Sequence, residues 1–218
     1  MRVALAWSSG KDSAFALHVL REQGVEVASL FTTVTSSFDR VSMHGTRRAI
    51  LAAQAAAAGL PLQQTEIPYP CPNEVYEAAM ARFVAQAKQD GVTHIAFGDL
   101  FLEDIRRYRE EKLAGSGLEP IFPLWGRTTP ELAQAMIASG LDARIVCLDP
   151  KRVDPALAGG RFDQDFLDRL PPETDPCGEN GEFHTCVVGG PIFSRSIPVT
   201  TGDVVTRDGF VFADLAPA

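Results

Sequence analysis

Short β-rich runs alternate with longer helical stretches along roughly the first 150 residues of the chain. Several of the helical stretches stop at a glycine, as at Gly24 and Gly59. Strands separated by helices at this spacing favour a parallel sheet covered by helices on both faces, with right-handed crossovers. The sequence therefore predicts an α/β fold built on a Rossmann-like, doubly wound parallel sheet, which binds ligands at the carboxyl ends of its strands.

The predicted strands are residues 3–7, 25–34, 62–67, 94–97, 119–122 and 143–148, and the predicted helices are residues 13–23, 46–58, 73–89, 102–113 and 130–139. Asn73 is a suitable N-cap for the third helix.

The character of the chain changes after Asp149 and Pro150. Glycine and proline pairs interrupt the rest of the chain, and its strands are short and separated by turns. We therefore expect two domains, residues 1–125 and residues 126–218, the second being a smaller α+β domain. Its most polar stretch, DPCGENGEFHTC, predicts that this domain closes over the carboxyl edge of the sheet.

Composition excludes several classes of function. Acidic residues outnumber basic residues by 28 to 20, so the net charge of −8 argues against nucleic acid and anionic membranes as partners. No apolar run approaches the roughly 20 residues that cross a bilayer. The four cysteines form no CxxC pair, as is usual in reduced cytoplasmic proteins, and we expect a cytoplasmic location.

The loop after the first predicted strand is a candidate anion site. It reads SSGKDS, residues 8–13, and leads directly into a helix whose N-terminal N–H groups attract negative charge. Gly10 allows close approach of a phosphate, Ser8, Ser9 and Ser13 offer hydroxyls, and Lys11 adds a positive charge. The loop is not a Walker A motif, because that motif requires glycine where Leu5 stands and a hydroxyl where Asp12 stands.

This loop resembles the SGGKDS pyrophosphate loop of the PP-loop ATP pyrophosphatases, with Ser9 in place of the first glycine. Residues 98–127, residues 175–193 and the stretch around His44 resemble the diphthine–ammonia ligase family, also described as the ATP-binding domain 4 group. The resemblance implies an N-terminal ATP-binding domain of the adenine nucleotide alpha hydrolase type and a family-specific C-terminal substrate domain. It also implies an ATP-dependent ligase that adenylates a carboxylate, releases pyrophosphate and transfers ammonia.

The resemblance assigns roles to the N-terminal residues. Ser8, Ser9, Gly10, Lys11 and Ser13 would bind the leaving pyrophosphate, with ATP and Mg²⁺ as cofactors. Asp12 would bind Mg²⁺, fix the loop or stabilise the start of the helix. The remaining expected nucleotide contacts are the backbone of Phe31, Thr32 and Thr33 for adenine, His44 for phosphate, and Gly98 and Asp99 for ribose or metal. Plain strand, loop and N-cap roles are the alternatives for these residues.

Arg106 and Glu110 stand four apart on one predicted helix, where they either bind the substrate or form an exposed salt bridge. Glu179, Glu182 and His184 are the catalytic candidates, because an acid and an imidazole in a glycine-bounded turn suit the deprotonation of ammonia or the binding of ammonium. The alternative is a polar hairpin turn. The ligases of the family typically carry a second acid where this chain has His184, so the acceptor acid can differ.

Several alternatives stay open from the sequence alone. The same adenylation could act on another acid, such as a corrinoid precursor, or support RNA thiolation through Cys71 or Cys177. A zinc site from Cys177, His184 and Cys186 lacks a fourth ligand. A regulator that holds ATP without turnover is a different class. The expected partners are ammonia and a small-molecule or protein-borne acid, and a homo-oligomer is compatible with the sequence.

Overall fold

The computed structural model describes residues 1–37, 39–41 and 45–218, which form ten strands, six α-helices and one 3-10 turn. In chain order these elements are β1 (Arg2–Ala6), α1 (Lys11–Glu22), β2 (Glu26–Thr35), β3 (Arg40–Val41), α2 (Arg48–Ala58), β4 (Leu62–Ile67), α3 (Asn73–Gln89), β5 (His94–Ala96), α4 (Glu103–Leu113), β6 (Glu119–Ile121), α5 (Thr129–Ala138), β7 (Asp142–Leu148), the 3-10 turn (Pro155–Leu157), α6 (Gln164–Asp168), β8 (Phe183–Gly189), β9 (Val199–Arg207) and β10 (Phe210–Pro217).

The first sheet is the parallel sheet that the sequence predicts. β1 lies between β2 and β5, β4 pairs with β2, and β6 pairs with β5, all in parallel. The short strand β3 pairs antiparallel with the end of β2. β1 is therefore a central strand, and its carboxyl end carries the Ser/Gly loop that leads into α1.

Helices cover both faces of this sheet. Val3 and Leu5 of β1 belong to one apolar cluster, which includes α1 and α2, whereas Ala4 between them belongs to a second cluster with Phe83 and Leu113 of α3 and α4. Successive side chains of a strand point to opposite faces, so these memberships place apolar helix surfaces on each side. The prediction of a doubly wound sheet is confirmed.

The second sheet is antiparallel and has the order β8-β7-β10-β9. The strand-helix alternation predicts residues 143–148 as a further strand after a helix, in the pattern of a parallel sheet. The structure instead pairs β7 antiparallel with both β8 and β10. The alternation of elements continues past the end of the parallel sheet, so it does not reveal where the first sheet stops.

The predicted N-cap at Asn73 is wrong, and the alternative N-cap role of Asp99 is not found. Asn73 is the first residue of α3, and Pro72 occupies the N-cap position without a side-chain hydrogen bond. Asp99 is not an N-cap either, because α4 begins at Glu103 and Leu102 is the residue before it. Pro72 has the extended backbone of an N-cap residue, so the helix starts one residue earlier than an N-cap at Asn73 would predict.

Gln54 of α2 connects the two sheets. Its side chain is fully buried, accepts a hydrogen bond from the Trp7 indole at 2.9 Å, and donates to the carbonyls of Ser9 at 3.1 Å and Val187 at 2.7 Å. The Val187 amide of β8 in turn donates to the Ser9 carbonyl at 2.9 Å. One amide side chain therefore satisfies polar groups of both sheets beside the Ser/Gly loop.

In the part of the chain that the structure describes, no helix has the length and apolar character needed to cross a bilayer.

Replacing Gln54 with leucine, which has a similar volume, should strongly destabilise the protein. The buried Trp7 N–H and the carbonyls of Ser9 and Val187 would lose the partner that Gln54 provides, at a cost of about 2–4 kcal/mol in the free energy of unfolding. Urea unfolding followed by circular dichroism measures this loss. Gln134→Leu on the exposed face of α5 is the matched control, with an expected change within about 0.5 kcal/mol. Equal effects of the two substitutions would contradict the role of Gln54.

Candidate active site

A cavity of about 500 Å³ opens where the carboxyl ends of β1, β2 and β5 meet the second domain. The parallel sheet contributes the residues that follow its strands, and the second domain contributes the loop before β8. The predicted site residues in the cavity lining are Ser8, Lys11, Asp12, Ser13, Phe31, Thr32, Thr33, Gly98, Asp99, Glu179 and His184. Four segments that are distant in the sequence are thus brought together, as expected for a ligand at the carboxyl edge of a parallel sheet.

The Ser/Gly loop has the shape of an anion site. Gly10 is the N-cap of α1 and brings no side chain to the first N–H groups of the helix, although the amide of Lys11 donates to the Thr185 hydroxyl at 3.0 Å. Ser8 and Ser13 lie with their hydroxyls 3.2 Å apart beside this terminus. The positive end of the helix dipole favours negative charge at this position.

Ser9 adopts a left-handed backbone conformation with φ of 71°. That region costs a residue with a Cβ roughly 1–2 kcal/mol, which gives a physical reason for the glycine that the SGGKDS loop has here. The Ser9 hydroxyl is buried and shares a hydrogen bond of 2.7 Å with the hydroxyl of Thr46. This bond compensates part of the backbone cost.

Lys11 is buried, with only 2% of its surface exposed. Its ammonium donates to both carboxylate oxygens of Asp12 at 2.9 Å and to the carbonyl of Cys177 in the second domain. Burial lowers the pKa of Lys11, but Asp12, Cys177 and Glu179 more than compensate, so the net direction is upward and the side chain stays charged. Lys11 therefore joins the loop of one domain to the other domain.

Gly98 is required for packing against this loop. A Cβ at Gly98 would lie 3.0 Å from the carbonyl carbon of Asp12 and 3.0 Å from the amide nitrogen of Ser13. These are backbone atoms that cannot move without displacing the start of α1. The sequence predicts that Gly98 admits a nucleotide. In the structure, the close contact of Gly98 is with the backbone of the anion loop.

Asp99 follows Gly98 and faces Arg109 of α4. The Arg109 Nε lies 3.5 Å from the Asp99 carboxylate, and its guanidinium stacks on Phe97 at 4.8 Å. Burial raises the pKa of Asp99, Arg109 lowers it and Asp12 raises it again, with a net upward direction. Arg109 brings a positive charge into a cavity that otherwise gathers carboxylates.

Glu179 is the third carboxylate of the cavity. Burial, followed by the nearby charge of Asp12, raises the pKa of Glu179 to about 7, although Lys11 acts in the opposite direction. Asp99 and Asp175 add smaller upward contributions. A carboxyl group with a pKa near neutrality can both accept and release a proton under ordinary conditions.

Thr32 and Thr33 occupy a gap in the pairing of β2. Residues 26–31 of β2 pair with β1, Val34 and Thr35 pair with β3, and β4 pairs along the other edge. In the described part of the chain no strand pairs with Thr32 and Thr33 on the β1 side. Backbone groups at that edge face the cavity beside Phe31, which stacks on Phe83 at 3.9 Å.

Glu182 and His184 line different cavities although they are two residues apart. His184 lines the cavity, whereas Glu182 is 1% exposed and lines a different cavity with Arg152, Glu173, Thr174 and Asn180. Alternation along an extended chain would place both side chains on one face, but Glu182 precedes β8 and belongs to the preceding turn. The structure therefore does not bring Glu182 to the cavity that holds Glu179.

Arg106 and Glu110 lie outside the cavity lining. Their side chains form an ion pair of 2.8 Å on the surface of α4, and the Arg106 guanidinium stacks on Phe122 and Trp125. This arrangement corresponds to the exposed salt bridge that the sequence left as the alternative. His44, expected as a phosphate contact, lies outside the described residues.

Sequence reasoning missed Arg109, Tyr76 and Trp7 as cavity residues. For Arg109 a signal exists in the spacing of the helix. Leu102, Ile105 and Arg109 stand three and four residues apart and line the cavity together. The apolar residues thus mark the face that turns inward, and Arg109 is the arginine on that face.

The cysteines are free thiols. Cys177 is buried, donates to the Thr129 carbonyl at 3.3 Å, and burial raises its pKa to about 12. Burial likewise raises the pKa of Cys186 to about 12. Such thiols are poor nucleophiles and poor metal ligands at neutral pH. Among the described residues, no group of three or more histidine, cysteine or acidic side chains has the arrangement of a metal site, so no support for zinc at Cys177, His184 and Cys186 emerges.

Comparison with known proteins gives a consistent result. Residues 1–120 match the family described as "Diphthamide synthase N-terminal domain", and residues 129–212 match "Diphthamide synthase C-terminal domain". Proteins named diphthine–ammonia ligase from Homo sapiens and Bos taurus are 24% and 25% identical, each over 99% of this chain and 89% of the relative. A protein of the same name from Schizosaccharomyces pombe is 33% identical over 41% of this chain and 15% of its own length.

Because the backbone of Ser9 is strained, we expect the Ser9→Gly variant to be more stable than the Ser9→Ala variant. Ser9→Gly loses the hydrogen bond to Thr46 but removes the backbone strain, so its free energy of unfolding should stay within about 1 kcal/mol of the wild type. Ser9→Ala loses the bond and keeps the strain, and should cost about 1–3 kcal/mol. Urea unfolding of both variants compares them directly. An alanine variant more stable than the glycine variant would contradict the strain.

The raised pKa of Glu179 predicts a pH dependence of stability. The unfolded chain releases this proton near pH 4.5 and the folded protein near pH 7, so the contribution is present below pH 4.5 and is lost as the pH rises through 7. A shift of this size corresponds to at most about 3 kcal/mol. Glu179→Gln should therefore be more stable than the wild type at pH 8 and should lose this dependence in thermal unfolding. The exposed Glu173→Gln is the control, and identical pH profiles of Glu179→Gln and wild type would contradict the prediction.

Proposed function

Because the chain belongs to the diphthamide synthase family, we propose that it is an ATP-dependent ligase that forms an amide from a carboxylic acid and ammonia. The observation that carries this proposal is the shared cavity, in which the anion loop of the first domain faces Glu179 and His184 of the second. One domain would hold the nucleotide while the other supplies groups for the acid and the nitrogen. The four relatives that span almost the whole chain are named for this reaction.

The first step is adenylation of the acid. A carboxylate oxygen attacks the α-phosphorus of ATP, and the bond to pyrophosphate breaks. We assign the leaving pyrophosphate to the start of α1 after Gly10, with the hydroxyls of Ser8 and Ser13 beside it. Lys11 supports this site as a fixed charge, because its ammonium is held by Asp12 and Cys177 rather than extended into the cavity. Adenine would contact the open edge of β2 at Thr32 and Thr33.

The cavity also suits a magnesium ion bound together with the nucleotide. Asp12, Asp99 and Glu179 influence one another electrostatically, yet they do not form a closed set of three protein ligands. Magnesium usually keeps several waters and uses one or two carboxylates plus phosphate oxygens. Asp12 and Asp99 are the residues we assign to it, and the ion would supply charge neutralisation at the phosphates.

The second step is the attack of ammonia on the activated carbonyl. The carbon-oxygen bond to AMP breaks, a carbon-nitrogen bond forms, and the nitrogen loses one proton. Glu179 is the group we assign to accept that proton, because it lies in the cavity and titrates near neutrality. His184 lines the same cavity and would orient the nitrogen or the acid.

The acceptor acid is either diphthine, as the names of the relatives suggest, or another acid. Arg109 is the residue we assign to the acceptor carboxylate, because its guanidinium lies in the cavity and is fixed on Phe97.

RNA thiolation receives no support from Cys177, whose thiol is buried and protonated at neutral pH. The cytoplasmic location, a homo-oligomer and the domain boundary after residue 125 stay predictions.

The test is turnover of ATP labelled at the α-phosphate with ammonium and a panel of acids, including diphthine-modified elongation factor 2. We expect AMP and pyrophosphate in a one-to-one ratio with one acid, and an amide only when ammonium is present. Lys11→Ala should lower turnover at least 100-fold, because it removes the charge beside the pyrophosphate and the hydrogen bond to the Cys177 carbonyl. Tight ATP binding without AMP under any condition would instead identify an ATP-binding regulator.

Arg109 and Arg106 form a matched pair for testing the acceptor site. Both are arginines on α4 that stack on aromatic rings, but only Arg109 lines the cavity. Arg109→Ala should raise the KM for the acid about 10- to 100-fold, the value of one or two charge-assisted hydrogen bonds, and leave ATP binding within a few-fold. Arg106→Ala should leave both constants near the wild-type values. Equal effects of the two variants would contradict the assignment.

A further inference from the structure

Glu182 is a buried carboxylate whose oxygens are already occupied by hydrogen-bond donors. One oxygen accepts from the amide of Asn180 at 2.9 Å, and the other accepts from the amide of Asp175 and the side-chain amide of Asn180, each at 3.2 Å. Arg152 of the second domain lies 3.6 Å from the same carboxylate. The acceptor sites of this carboxylate are therefore occupied by groups of its own loop and by Arg152.

From these contacts we propose that Glu182, held by Arg152, is a positioning residue that fixes the loop of residues 175–181 over the nucleotide cavity. The inference rests on the proposed function, in which this loop delivers Glu179. It assigns to Glu182 a different role from that of an acid or base acting on the substrate. It also assigns a function to Arg152, which no motif in the sequence points to.

The loop transmits the position of Glu182 to Glu179 through Asp175. Glu182 holds the amide of Asp175, whose own carboxylate accepts from the amides of Glu179 at 2.9 Å and Cys177 at 3.4 Å. The Arg152 guanidinium donates in addition to the Asn180 carbonyl at 3.3 Å. The amides of Glu179 and Cys177 are therefore tied through Asp175 to the buried Glu182, which pairs with the half-exposed Arg152.

The same loop carries the contact between the domains. The Cys177 carbonyl accepts from the ammonium of Lys11, so its position sets how that charge is held beside the anion loop. Gly178 fits tightly, because a Cβ there would lie 2.8 Å from the Phe183 carbonyl and its φ is 73°. A loop bound at both ends and packed this closely has little freedom once Glu182 is in place.

The decisive measurement is the titration of the Glu179 carboxyl by NMR with labelled glutamate, because it does not depend on turnover. Arg152→Ala should release the loop, expose Glu179 and lower its pKa by about one unit or more towards that of a solvated glutamate. Arg152→Lys should restore most of the difference. Arg169→Ala, which removes an exposed arginine paired with Asp154 in the same domain, is the control and should leave the titration unchanged.

Kinetics separate positioning from direct catalysis. We expect Arg152→Ala and Glu182→Gln to raise the KM for ammonium at least 10-fold and to shift the pH-rate profile in the same direction as the Glu179 titration. An unchanged Glu179 titration in Arg152→Ala would overturn the inference. Loss of turnover in Glu182→Gln with an unchanged Glu179 titration would overturn it too, because Glu182 would then act on the substrate itself. A wild-type protein that forms no AMP with any acid would refute only the proposed function, since the titration still reports on the loop.

Discussion

The buried ammonium of Lys11 is the interaction on which the arrangement of the cavity depends. A charge that is 2% exposed is costly unless its partners are fixed, and here they are the carboxylate of Asp12 and the carbonyl of Cys177. One partner belongs to the first domain and the other to the second. The need to satisfy a single buried charge therefore sets the distance between the anion loop and the loop that carries Glu179.

Local patterns in the sequence predicted the framework well. β4 has the predicted bounds, α3 ends where predicted, and the Ser/Gly loop lies at the carboxyl end of a central strand, as its position between strand and helix indicated. These features depend on periodicity and on glycine and proline positions, which act over a few residues. The resemblance of three separate segments to one family is also confirmed, because residues 1–120 and 129–212 match the two domains of that family.

Local sequence patterns could not predict the side-chain pairs that join distant parts of the chain. The choice between Arg106 and Arg109 depends on which face of α4 turns towards Asp99, and the choice between Glu179 and Glu182 depends on the course of a single turn. Gln54 has no local signal at all, since its three partners come from β8 and from the loop after β1. A polar residue acquires such a role only when distant backbone groups are buried next to it.

The main apolar cluster has a consequence for how relatives of this chain can diverge. It contains Leu5 and Leu17 of the first domain together with Ile145, Phe183 and Val187 of the second, so the two share one interior. A second domain borrowed from a relative with another acceptor would have to match the surfaces of α1 and α2 as well as the substrate. We therefore expect the two halves to be inherited as a unit, and new acceptors to arise by changes in the cavity lining rather than by exchange of whole domains.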